Sequence, residues 1–350
     1  SLYTCPNLLQ ALLTQKQEAI DFVRQSHCGN WTSDTLPMVC CGTIANAATP
    51  SVTEIPETVT IKSKVKNKLI SDYRFCGYQH TDDYFYTGNI TAIDEFPWLA
   101  VFKYALDPDI DPELQGSYFH EFGCAGSLIN RRYVLTAAQC LRLRVSSVVA
   151  VRLGEYNIKH DKDCVKFSDI DECSNPVEDV GIEKKIKHPQ YNRRRGFNDI
   201  ALLRLNRSIT YTDYIRPICL PNSQTNFAKI GDTMVLTGFG RTGTNDNYAI
   251  IKKKILSKLI SNKQCDKEFS QIDRSFRQVT DNIMCTKELA INTERSCEGD
   301  SGGPLMFSQR TQWHIEGIAV WSTDLCEIKY PFAYTRVNNY IEWIENTVVP

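Results

Sequence analysis

From about residue 85 onward the chain is a succession of short strand-like stretches separated by turn residues. Trp98 to Tyr104, Tyr133 to Thr136, Ser147 to Leu153, Ile200 to Leu205, Met234 to Thr237 and His314 to Val320 are examples, and together they predict an all-β body. The last segment differs. Val337, Tyr340, Ile341 and Ile344 have the spacing of one helical face, which predicts an amphipathic C-terminal helix. Residues 1 to 44 differ again: Leu8-Leu9, Ala11-Leu12-Leu13, Ala19-Ile20 and Phe22-Val23 give helical spacing between Cys5 and Cys28. Residues 45 to 84 form a linker and a following segment. The linker is rich in Pro and Thr, poor in aromatics, and carries the basic run Lys62-Ser63-Lys64-Val65-Lys66-Asn67-Lys68.

Composition narrows the setting. The 350 residues can build more than one domain, and a net charge of −1 implies no nucleic-acid partner. Fourteen cysteines, with no zinc-type Cys-x-x-Cys pair, read as disulfide staples of an oxidising compartment. The sequons at Asn30, Asn89 and Asn206 agree with secretion. No apolar run reaches the length of a membrane span. With no initiator Met or signal peptide, the chain reads as mature or trimmed. Two short basic runs, Arg193-Arg194-Arg195 and Lys252-Lys253-Lys254, are expected to be solvated faces.

Candidate chemistry sits in three segments. Cys297-Glu298-Gly299-Asp300-Ser301-Gly302-Gly303-Pro304-Leu305 is a nucleophile loop, Asn198-Asp199-Ile200-Ala201-Leu202-Leu203 carries a carboxylate, and Leu135-Thr136-Ala137-Ala138-Gln139-Cys140 stands where a base is required. A serine hydroxyl needs a neighbour that takes its proton during attack and returns it to the leaving group. Imidazole does this because its pKa lies near working pH, and a carboxylate behind it fixes its tautomer. The Gln139 amide can hydrogen-bond Ser301 but cannot shuttle a proton.

In these segments the chain resembles the chymotrypsin/trypsin-like serine proteases, over about residues 85 to 350. Gln139, Asp199 and Ser301 follow that family's His, Asp, Ser order. Further matches are Glu95-Phe96-Pro97-Trp98, Gly126-Ser127-Leu128-Ile129, Ile215-Arg216-Pro217-Ile218-Cys219-Leu220-Pro221, Leu236-Thr237-Gly238-Phe239-Gly240 and Tyr334-Thr335-Arg336-Val337. The resemblance implies two packed six-stranded antiparallel barrels followed by the helix. It implies the pairs Cys76–Cys219, Cys124–Cys140, Cys164–Cys173, Cys265–Cys285 and Cys297–Cys326. Glu155 matches a loop that holds calcium in some members; the alternative is an exposed loop carboxylate.

Departures from the family pattern reach beyond Gln139. The residue at the base of the specificity pocket would be Arg295, where trypsin-like members carry an aspartate for a substrate Lys or Arg. Ser322 and Phe332 stand where pocket-wall glycines are expected, and the phenylalanine would fill much of the slot. The activating cut would fall between Tyr84 and Phe85, where no Lys or Arg is available. The new amine would pair with Asp300 and order the oxyanion loop Gly299-Asp300-Ser301.

The N-terminal unit, closing at Cys40-Cys41, resembles the clip domain of arthropod haemolymph proteases. It carries four cysteines where six are usual, so its beginning reads as cut off; Cys5 would pair with Cys41, leaving Cys28 and Cys40 without partners within this chain. The resemblance implies a secreted, non-catalytic clip-domain serine protease homologue. Such proteins regulate haemolymph cascades leading to melanisation through prophenoloxidase or to Toll signalling, with proteases or prophenoloxidase as partners. The alternatives are an active endopeptidase with an atypical base and pocket, and an adhesive or structural protein on a protease scaffold.

Overall fold

The computed structural model describes residues 27–28, 38–39, 70, 73–79, 89–106, 123–143, 146–167, 170–222, 227–240, 248–272, 279–289, 300–309, 312–321 and 330–350. Contacts divide the chain into two units, Ser1–Ser63 and Lys64–Pro350. In the first unit β1 (His27–Cys28) pairs antiparallel with β2 (Met38–Val39). The helical stretch expected between Cys5 and Cys28, the cysteine side chains of this unit, Asn30 and the linker from 45 to 69 lie outside the described residues.

The second unit is built on two barrels. β3 (Leu99–Leu106), β4 (Ala125–Asn130), β5 (Tyr133–Thr136), β6 (Arg142–Leu143), β7 (Ser146–Leu153), β8 (Cys164–Phe167), β9 (Ile170–Cys173), β10 (Glu178–Lys187) and β11 (Ala201–Leu205) make up its first half. The pairing order β10-β11-β5-β4-β3-β7 closes when β10 returns to β7, with β6 appended and β8–β9 a separate hairpin. β12 (Thr233–Gly238), β13 (Lys253–Ile260), β14 (Ile283–Glu288), β15 (Pro304–Gln309), β16 (Gln312–Trp321) and β17 (Phe332–Arg336) close the second barrel in the order β12-β13-β14-β17-β16-β15. Closure gives each of the twelve barrel strands a paired neighbour on either side, while β6 and the β8–β9 hairpin stand outside the barrels.

Apolar residues fill both interiors. Trp98, Phe102, Leu128, Leu135, Val151, Leu153 and Leu202 pack the first barrel, and Met306, Ile315 and Ile318 of the second join the same cluster. Trp98 Nε1 also donates to Met306 Sδ across the two barrels, at 3.0 Å. A second cluster contains Met234, Leu236, Ile255, Leu259, Met284, Leu305 and Tyr334. Each fully buried Leu or Phe contributes about 1.5–3 kcal/mol. α1 (Asn262–Ile272) is tied to β14 by Cys265–Cys285.

The C-terminal segment is a 3-10 turn, Val337–Tyr340, followed by α2 (Ile341–Thr347). The tighter first turn sets Val337 and Tyr340 three apart on one face, and both enter the first barrel's core with Ile344. Cys76–Cys219, Cys124–Cys140, Cys164–Cys173 and Cys265–Cys285 are all formed. Cys297 and Cys326 lie outside the described residues.

Lys252-Lys253-Lys254 is not a solvated face. Lys252 is buried, its backbone stitched to Tyr156 O and its carbonyl to the Thr91 hydroxyl. Lys254 Nζ lies 2.9 and 3.0 Å from the two oxygens of buried Glu95. A run of lysines in sequence says nothing about which strand will cover it. The Arg193–Arg195 run does lie in solvent.

The segment before the body is anchored by more than its disulfide. Gly77 N–H donates to Pro217 O and Trp313 N–H to Gly77 O, both at 2.8 Å, while Gln312 Nε2 donates to Tyr73 O and Cys76 O. Gly77 has φ +69°, and a Cβ there would lie 2.3 Å from Trp313 O. Gly77→Ala should therefore strip this segment from the body, at about 2 kcal/mol or more. Limited proteolysis under non-reducing conditions should show new cuts within 70–79 while the barrels stay resistant.

Candidate functional site

Three loops converge where the barrels meet. Gln139 stands in the 3-10 turn Ala138–Leu141 directly after β5, and Asp199 lies just before β11. β5 and β11 are paired with Thr136 opposite Ala201, so the two residues emerge at the same end of the first barrel. Ser301 precedes β15 of the second barrel. Its carbonyl accepts from Ala125 N–H of the first barrel at 2.9 Å, and Cys124–Cys140 braces the Gln139 turn. The structure thus brings together the three residues that the sequence spreads over 139–301.

Their hydrogen bonds differ from those of a proton relay. Asp199 is buried, and its Oδ1 accepts from the backbone N–H of Gln139 at 2.9 Å. Burial pushes its carboxyl up from the ordinary 3.8 to about 6, opposed by the N–H groups of Gln139 and Ala138. The Gln139 side chain turns elsewhere: Nε2 donates to Val320 O on β16 at 2.6 Å. No hydrogen bond joins Gln139 to Ser301 among the described residues. The amide that could have held the serine is committed to the second barrel's backbone.

Asp300 is also buried. Its Oδ1 accepts from Gly240 N–H at 2.8 Å, and a Cβ at Gly238 or Gly240 would fall 1.9 or 2.3 Å from a carboxylate oxygen. Only glycine permits that approach, a constraint implicit in Leu236-Thr237-Gly238-Phe239-Gly240 that sequence reading assigned to the fold alone. Phe332 begins β17 and packs against the second barrel's apolar cluster. Arg295, Ser322, Gly299, Tyr84 and Phe85 lie outside the described residues.

No described histidine stands in for the base. His188 packs edge-on against Tyr340 and Trp343, with ring centroids 5.3 and 5.1 Å away. His314 is buried beside Tyr73, and His160 is exposed, 3.7 Å from Asp163.

Comparisons with known proteins place this arrangement. The trypsin family matches residues 87–344, and the regulatory CLIP domain of proteinases matches residues 1–41. The chain belongs to the trypsin family. It is 35% identical to phenoloxidase-activating factor 1 of Holotrichia diomphalia, over 99% of this chain and 89% of that protein. It is 33% identical to melanization protease 1 of Drosophila melanogaster, over 99% and 90% respectively. A solved structure, the Drosophila Grass clip serine protease of the Toll pathway, aligns with TM-score 0.62 and 26% identity, covering 97% of this chain and 90% of that one. This trypsin-family chain therefore combines the protease fold with a clip domain, and its relatives are clip-domain proteases and activating factors.

Two sequence expectations need correction. Asn89 and Thr91 are buried, and the Thr91 hydroxyl donates to Lys252 O, so this sequon offers no accessible amide for a glycan. Asn206 is exposed. Glu155 is not an exposed loop carboxylate. It is buried, with Oε2 3.5 Å from Arg152 Nη1 and Oε1 without a hydrogen-bond partner among the described residues, and burial raises it to about 7 despite Arg152. Asp163 lies in the same loop with Oδ2 accepting from Asn157 N–H. No three His, Cys, Asp or Glu side chains gather as a metal cluster among the described residues. Calcium in such a loop would take carboxylates together with backbone carbonyls and waters. Glu155 and Asp163 are the side chains that would hold it.

The raised Asp199 carboxyl has a measurable consequence. Between about pH 4 and 6 the folded protein retains a proton that the unfolded chain has lost, so this group lowers stability as pH rises through that window. Asp199→Asn cannot ionise. Its Tm relative to the parent should shift upward by about 5 °C between pH 4 and pH 7. Differential scanning calorimetry at the two pH values checks this.

Proposed function

We propose that this chain is a secreted, non-catalytic clip-domain homologue of the trypsin family that regulates an extracellular protease cascade of innate immunity. The supporting observation is Gln139. It stands at the position of the general base, its amide is bonded to Val320 O, and no described histidine replaces it. Loss of the base costs a serine protease about a millionfold in turnover. Arg295, Phe332 and Tyr84 extend the reading from chemistry to specificity and activation. The kept Asp199 and Ser301 are then parts of a scaffold whose surfaces engage other proteins. Phenoloxidase activation, melanisation and the Toll pathway appear in the names of its relatives, and proteases or prophenoloxidase of such a cascade are the partners this reading assigns. No cofactor is required; calcium held by Glu155 and Asp163 would supply counter-charge to a loop, not chemistry.

The reading also orders the processing. A trypsin-like cut in Lys62–Lys68 precedes Cys76, so the Cys76–Cys219 bridge would not retain the clip unit, which would be released. Mass analysis of the circulating cleaved form should place its first residue between 63 and 69; a form beginning at Phe85 contradicts this.

Two further measurements test the inactivity. A fluorophosphonate probe should leave Ser301 unlabelled before and after trypsin treatment, and stoichiometric labelling would favour an active endopeptidase instead. Gln139→His alone should give no detectable hydrolysis of an arginine substrate, because Arg295, Phe332 and Tyr84 remain. Turnover by that single variant would show that the pocket and activation site are permissive.

A further inference from the structure

The first barrel is electrostatically one-sided along β10 and the turn that follows it. From Lys184 to Asn198 the chain carries three lysines and three arginines and no acid, in a protein of net charge −1. The acids of β10 are already used. Glu178 pairs with Arg207 at 2.8 Å, Asp179 with Arg152 at 2.7 Å and Lys103 at 2.8 Å, and Glu183 with Arg132 and Arg204. Lys184, Lys187, Arg193, Arg194 and Arg195 are exposed and enter no ion pair among the described residues. The neighbouring α2 carries Glu342 and Glu345, neither within ion-pair distance of these five. A bulge between Ile182 and Lys184 offsets the register of β10 at the start of this run, and Lys184 and the adjoining Lys185 are both exposed.

The arginine turn is a built structure. Asn192 and Phe197 bridge, Arg195 N–H bonds to Asn192, and Asn198, at φ 53°, donates its amide to Gln190 O and accepts from the Tyr340 hydroxyl. His188 N–H is bonded to Ile200 O, closing the base of the turn, and Asp199 of the candidate site directly follows it. The guanidinium groups are thus carried on a pre-shaped backbone, which reduces the ordering cost of engaging a partner. These five cations on β10 and the adjoining turn, in no ion pair among the described residues, form an extended line of donors. Guanidinium forks donate bidentately to carboxylates.

We propose that β10 and the 188–198 turn form a docking surface for an acidic, extended protein segment, which it steers toward the Gln139–Asp199–Ser301 cleft. The surface works in the same way whether or not Ser301 is reactive, so it stands or falls apart from the pseudoenzyme reading.

The test uses the full chain and a fluorescein-labelled oligoglutamate peptide, with a heparin oligosaccharide as the second probe. The parent should bind the peptide, and binding should weaken at least about tenfold between about 50 mM and about 300 mM salt. The R193E/R194E/R195E variant should lose at least about tenfold at the lower salt. K159E/K162E/K229E, which changes three exposed lysines elsewhere by the same charge, should bind nearly as the parent does. Equal loss in both variants would reduce the effect to net charge and overturn the proposal. So would binding of heparin without binding of the peptide, which would make the ligand a sulfated glycan. A parent that binds neither probe would leave the run as a solvated face and overturn it too. Thermal melting of both variants confirms that a loss of binding is not a loss of fold.

Discussion

Closure of the two barrels is the constraint on which everything else rests. Once β10 returns to β7 and β12 to β15, every strand end is fixed relative to its neighbours, and so are the loops between them. Gln139 and Asp199 are neighbours because β5 and β11 are paired, not because the two side chains attract each other. Ser301 is delivered by the other barrel, held through Ala125 N–H and by the backbone bonds of Gly302 and Gly303 to Ala319. A site so assembled does not depend on the chemistry of its residues for its geometry. Replacing a histidine with glutamine removes the proton carrier and leaves untouched the ladders that bring the three residues together. The glutamine gains a structural role, a second link between the barrels through Val320 O.

Buried charge is handled by local neutralisation or by backbone donors. Asp300 rests on two glycines and takes an N–H from one of them; Asp199 takes N–H groups from the Gln139 turn. Glu95 holds Lys254, and Lys252 is buried among Asp94, Glu95, Glu155 and Asp163. Each arrangement joins segments far apart in sequence, and removing one partner would strand the other in a medium that cannot solvate it. Ion pairing on the outer face follows a different pattern. There the acids of β10 are consumed by cations from neighbouring segments, and Lys184, Lys187 and Arg193 to Arg195 enter no ion pair among the described residues.

Much of this was legible in the residues. Short apolar stretches predicted strands, and four of the inferred disulfides hold because the cysteines sit in motifs whose fold fixes their spacing. The identity of Gln139 was equally plain, since the amide's lack of basicity is a property of the side chain alone. Other features were hidden because burial is not written in a tripeptide or a charge run. Asn89 reads as a sequon and Lys252 as a solvent-facing lysine until the 89–95 segment is laid over β13 and each covers the other.

By itself, then, the sequence determined the chemical inventory: a serine and an aspartate with no imidazole between them, an all-β body, and cysteines enough to staple it. These follow from side-chain chemistry and short-range periodicity, both local. The tertiary structure alone decided where the Gln139 amide points, which lysines are dry, that Glu155 is enclosed, and that one strand and its turn keep five cations that enter no ion pair among the described residues. Those outcomes depend on which residues from distant segments come within a few ångströms, and only the closed barrels set those distances.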